Sequence, residues 1–227
     1  MARIKLERDK IKAKIKASNE EFMRLSKEEK RIWIINDCLD RIEAGNLVPS
    51  RGCLMNSIKV TGNNSVTTFI ESWKPENASK SVKDLINMGD SSCETCAKGA
   101  LFLSYIGRVN NFTLGEVTPD NDPSSAHEIS STEMVKLSEI FSLDQLDLIE
   151  AVFEGVISSS VWCEEKRKEK LYLSVNNKQN YSQDMLGDIY TYHRVFNDEM
   201  DILENVLHNM LRNNGEFVVT DLEDVNA

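Results

Sequence analysis

Cys93 and Cys96 stand three residues apart in Ser-Cys93-Glu-Thr-Cys96-Ala-Lys-Gly, the only C-x-x-C spacing in the 227-residue chain. That spacing supplies two thiolates to half of a tetrahedral zinc site, or the two thiols of a disulfide oxidoreductase. A run of small and large apolar residues follows, Ala97 to Ile106, and reads as a buried helix from about Glu94 to Val109 with both thiols at its mouth. Free amides and the macrodipole at such a mouth favour thiolate. A thioredoxin-like site, however, expects a preceding strand, which residues 80 to 92 do not suggest, and zinc lacks a second C-x-x-C or an H-x-x-x-H. Cys53 and Cys163 are solitary. Buried structural thiols are therefore the default, with zinc at Cys93 and Cys96 as the alternative and a redox pair as a third reading.

Other residues capable of chemistry fall into no recognised catalytic spacing. His127, His193 and His208 have no neighbouring acid or nucleophile motif, although His193 shares a predicted helix with Tyr190 and Tyr192. Asp120-Asn-Asp122 opens like a calcium loop but lacks the glycine and the closing glutamate. Carboxylate rows such as Asp37, Asp40 and Glu43, or Asp198, Asp201 and Glu204, read as solvated helix faces because no Glu-x-x-His accompanies them. No P-loop, G-x-G-x-x-G, G-x-S-x-G or H-E-x-x-H is present. No catalytic or cofactor-binding residue is assigned.

Charge is the second notable feature. The chain holds 27 basic and 37 acidic residues, a net charge of −10. Residues 1 to 16 carry seven basic side chains against Glu7 and Asp9, so this segment is +5 and the remainder is −15. An acidic body argues against nucleic-acid coating and for a basic partner, leaving phosphate contacts to the basic segment alone. Ile4, Ile11, Ile15 and Phe22 recur at helical spacings between those charges, so residues 1 to 25 are expected to form an amphipathic arm whose stripe contacts a partner or a second copy. Packing of that stripe within its own chain is the competing expectation. Five cysteines, an odd number, with no apolar leader fit reduced thiols in a cytoplasm, and no apolar run approaches the ~18 residues of a membrane span.

The elements that must position these groups read as mainly α. Ser26 with Glu29 makes a capping box ahead of Ile32, Trp33, Ile35, Leu39 and Ile42, and Gly45 stops that helix. Pro49, Gly52, Gly62, Asn63, Asn64 and Pro75 then punctuate two short segments, which predict a β-hairpin between residues 53 and 73, with a helix over Val66 to Trp73 almost as well supported. Further helices are expected over Lys80 to Met88, Thr132 to Phe141, from Ser142 through Val156, Tyr181 to Val195 and Asp198 to Arg212. Residues 110 to 130 read as a long polar loop. The expected organisation is an arm (1–25), one helical globular domain (26–217) and a frayed acidic tail (218–227).

The segment Cys93-x-x-Cys96-Ala-x-Gly99-Ala-Leu-Phe-Leu-Ser104 resembles a stretch found in a family of bacteriophage and bacterial proteins of no assigned activity. Leu143-Asp-Gln-Leu-Asp-Leu-Ile-Glu150-Ala-Val-Phe-Glu154 and Leu211-Arg-Asn-Asn-Gly215-Glu-Phe217 are similar in kind. The resemblance spans residues 80 to 217 as scattered islands. It implies an accessory protein in a phage or mobile-element setting, where small acidic proteins act by binding host proteins, and it brings no site residue with it.

The leading functional expectation is thus a non-enzymatic, oligomeric or partner-bound regulator or inhibitor that uses the acidic surface and the basic arm. A zinc- or thiol-dependent module centred on Cys93 and Cys96 is the alternative. A helical pocket lined by His193, Tyr190 and Tyr192, for a small molecule or a reaction, is the third.

Overall fold

The computed structural model describes residues 19–51, 57–61, 67–71, 75–86, 91–109, 113–114, 136–154, 183–196 and 198–222. In chain order these form α1 (Asn19–Arg24), α2 (Lys27–Glu43), β1 (Leu47–Pro49), β2 (Ser57–Thr61), β3 (Thr67–Glu71), α3 (Val82–Ile86), β4 (Ser91–Thr95), α4 (Ala97–Val109), α5 (Leu143–Glu154), α6 (Gln183–Val195) and α7 (Glu199–Arg212). The protein is mainly α with one small sheet. Among the described residues, no helix is long and apolar enough to cross a membrane.

Local sequence explains several of the helix ends. Ser26 Oγ accepts from the Glu29 amide while the Glu29 carboxylate accepts from the Ser26 amide, which closes the capping box of α2. Asp198 caps α7 through the Asp201 amide, and Ser142 caps α5 through the Gln145 amide. Gly45 terminates α2 with φ +71°. Gly215, at φ +86°, is demanded twice over, since a Cβ there would stand 2.7 Å from Arg31 Cβ.

The sheet has the order β1-β4-β2-β3, with β1 parallel to β4 and the other two pairings antiparallel. The expected hairpin is β2 and β3, in register from Ser57 opposite Glu71 to Thr61 opposite Thr67; the helical alternative for the second segment is wrong over Thr67–Glu71. Leu47, Cys93, Ile58 and Ile70 lie directly opposite one another across the four strands and all are buried, so they make one apolar row on the inner face. The outer face carries Val48, Glu94, Ser92 and Lys59, all partly or fully exposed. Period-two alternation thus turns one face of the sheet to the helices and the other to solvent.

Helix α4 is the centre of the molecule. Every residue from Ala100 to Ile106 is buried, and the helix touches α1, α2, α3, α5, β1 and β4. Its small residues admit a close neighbour: Cys38 of α2 donates to the Ala100 carbonyl at 3.3 Å and lies 3.2 Å from Ser104 Oγ. Phe22 anchors α1 in the same core, edge-on to Trp33 at 5.2 Å and tilted against Tyr105 at 6.5 Å. Phe22 is therefore a core residue of its own chain rather than a contact offered to a partner, and the body begins before residue 25. Ile4, Ile11 and Ile15 lie outside the described residues.

The chain after α7 folds back instead of fraying. Asn209 donates to the Val218 and Asp221 carbonyls at 2.7 and 2.8 Å and accepts from the Val218 amide at 2.9 Å. Arg212 holds the Asp221 carboxylate with two bonds of 3.1 Å, and the Gln145 side chain brackets the Phe217 backbone by accepting at 2.7 Å and donating at 3.3 Å. The ring of Phe217 is buried edge-on to Tyr192 at 5.2 Å. The expectation of a loose tail from residue 218 fails up to Leu222, because a polar cluster on α7 supplies partners that composition alone does not reveal.

Candidate functional site

The two cysteines of the C-x-x-C segment have different jobs. Cys93 is not at a helix mouth: it lies in β4, which the sequence reading missed, and its buried side chain belongs to the apolar row of the inner sheet face. Its thiol approaches the neighbouring Glu94 carbonyl at 3.8 Å. Cys96 follows the strand and opens α4. Its carbonyl accepts from the Ala100 amide at 2.9 Å and its sulfur accepts from the Gly99 amide at 3.4 Å, so it takes the helix-capping place usually filled by serine or aspartate. Cys38, Cys93 and Cys96 are all free thiols. Cys53 and Cys163 lie outside the described residues.

Helix α5 brings two carboxylates to this mouth. One ligand atom each from Cys96, Glu150 and Glu154 lies within 4.8 Å of the other two. Glu150 and Glu154 are one turn apart on α5, and that spacing sets both on the face turned to the α4 N-terminus. Glu150 also accepts from the Lys98 amide at 3.3 Å, while the Lys98 ammonium pairs with Asp147 at 3.1 Å. Arg51, just past β1, donates to the Phe153 carbonyl at 3.0 Å and stands 3.6 Å from Glu199 of α7. The cluster therefore sits beyond the carboxyl ends of the parallel strands β1 and β4, the edge on which α/β sheets hold ligands.

Electrostatics keep the thiol protonated. Burial pushes Cys96 well above the ordinary thiol range, Glu150 pushes it the same way, the Gly99 amide acts in the opposite sense, and Glu154 and a hydrogen bond to Glu150 raise it further. Such a thiol is a poor nucleophile and a poor redox group. Burial likewise raises Cys38, to about 12, against the opposing hydrogen bond from Ser104.

The remaining sequence candidates are dispersed. His193 Nδ1 lies 3.1 Å from the Val152 carbonyl of α5. Tyr192 packs between Phe196 and Phe217, and burial raises its hydroxyl above the usual range. Tyr190 is buried on the same helix. Asp37 pairs with Arg41 at 2.8 Å, and His127 is outside the described residues. Sequence reasoning missed Glu150 and Glu154, which read as polar positions beside a core stripe; their one available signal was the i, i+4 carboxylate spacing. Searches against family models, curated proteins and solved structures find no match to this chain.

Proposed function

We propose that the protein is a non-enzymatic, protein-binding accessory factor, a regulator or inhibitor of another protein. The observation that carries this reading is its charge separation. The first 16 residues are +5 and the rest of the chain is −15. Phe22, six residues after that segment, is buried beside Trp33 and Tyr105, and the acidic body carries exposed carboxylates that include Glu21, Glu28, Glu43, Asp84, Asp144 and Asp184. Complementary charge steers encounter and selects partners, and a body of this sign suits a basic protein surface.

The test is reconstitution of a stoichiometric complex from the purified full-length protein and a captured candidate, followed across a salt series. Binding that weakens as salt rises, and that drops when the exposed carboxylates Glu21, Glu28 and Glu43 are changed to lysine, supports the proposal. Turnover of a metabolite by a protein that binds no macromolecule contradicts it.

A further inference from the structure

We propose that Cys96, Glu150 and Glu154 form a binding site for one divalent metal ion of the zinc class, with a fourth position left for an external ligand. The inference goes beyond the protein-binding reading and stands or falls separately from it.

Three donor atoms from two elements converge to within 4.8 Å of one another. The ligand atoms of a tetrahedral zinc ion stand roughly 3.3 to 3.8 Å apart, given its bond lengths of about 2.0 to 2.3 Å. Side-chain adjustments of about an ångström therefore suffice to close the set. Helix capping alone does not account for it. The sulfur of Cys96 already takes the Gly99 amide and one oxygen of Glu150 takes the Lys98 amide, so the cap is complete before Glu154 is added. Glu154 adds a third donor one turn from Glu150 on α5, so one sulfur and two carboxylate oxygens lie close enough together to be bridged by a single ion.

The donor set selects the ion. One sulfur favours zinc over the hard cations, and two carboxylates suit zinc better than the all-sulfur sites of softer metals. Three protein ligands are the number that leaves a coordination position open. Binding is balanced by a proton: the Cys96 S–H bond breaks as the S–metal bond forms, and the proton leaves to solvent, so affinity falls as pH is lowered. Cys93, the other half of the C-x-x-C spacing, takes no part, because its side chain belongs to the inner row of the sheet.

The experiment is titration of the full-length protein with cobalt(II), followed by zinc(II) competition and gel filtration with metal analysis. One cobalt per chain, with a thiolate-to-cobalt charge-transfer band that zinc abolishes, is the expected result. Cys96→Ser should remove the charge-transfer band. Glu150→Gln with Glu154→Gln should keep sulfur in place while weakening affinity at least tenfold, and Cys93→Ala should change neither. Far-UV circular dichroism establishes that each variant is folded, and the glutamine pair keeps the proposal testable should Cys96→Ser unfold. Absence of a thiolate band, loss of zinc on gel filtration, an unchanged affinity in the folded glutamine pair, or a band lost with Cys93 rather than Cys96 would each overturn it.

Discussion

The C-terminal clasp and the mouth of α4 are both partly buried polar clusters, yet they are composed in opposite ways. At the clasp, charges and hydrogen-bonding groups are matched: Asp221 meets Arg212 and Asn213, the Val218 backbone meets Asn209, and the Phe217 backbone meets Gln145. At the mouth, a thiol and two carboxylates converge. A closed cluster of the first kind stabilises one conformation, since side chains and backbone groups within it meet one another in direct hydrogen bonds. The mouth instead gathers three metal-ligating groups from two elements, the arrangement on which the proposed site rests. The two regions share α5, whose Gln145 serves the clasp and whose Glu150 and Glu154 serve the mouth.

The sharpest way to break this contrast is to remove the clasp's apolar anchor. Phe217→Ala should cost about 3–5 kcal/mol of unfolding free energy, the usual range for a buried ring, read by urea denaturation. A loss below about 1 kcal/mol would show that the tail is not part of the core. Asn209→Leu should cost about 2–3 kcal/mol, because it strands the Val218 amide and two carbonyls. Hydrogen exchange should then speed at Val218 while α2 stays protected.

A third polar contact, between α2 and α4, sharpens the comparison through pH. The Cys38 thiol is raised to about 12 from 9.0, so between those values the folded state binds a proton that the unfolded chain has released. Stability is then lost as pH rises through that window, at up to about 1.4 kcal/mol per pH unit. Cys38→Ser, which keeps a hydrogen-bonding group but not the titration, should flatten the slope by up to that amount; an unchanged slope would remove Cys38 from the account. The smallest effect belongs to the mouth. In metal-free buffer, Cys96→Ser should shift stability by less than about 1 kcal/mol, since a serine oxygen can take the Gly99 amide in place of sulfur.

Much of this architecture is legible in the residues. The capping box of Ser26 and Glu29 and the stop at Gly45 are local signals whose hydrogen bonds and backbone angle appear as read. Helix α4 is recognisable because its apolar run has no polar face. β4 is not, because Ser91, Ser92, Cys93, Glu94 and Thr95 include a single β-branched residue; the segment is a strand by virtue of its neighbours on both sides. Missing that strand merged two cysteines with unlike surroundings into one motif. The carboxylates of the mouth were hidden for a related reason, since their partner lies about fifty residues earlier and only the packing of α5 on α4 joins them. The clasp escaped notice because Asn209 and Arg212 resemble any polar residues of a last helical turn.

The most direct test of the central claim is native mass spectrometry of the full-length protein after exposure to zinc and desalting, with Cys93→Ala and Cys96→Ser alongside. The account predicts a mass increase of one zinc per chain in the natural sequence and in Cys93→Ala, and none in Cys96→Ser. Zinc retained by Cys96→Ser and lost by Cys93→Ala, or absent from all three, would contradict the assignment of the site to Cys96, Glu150 and Glu154.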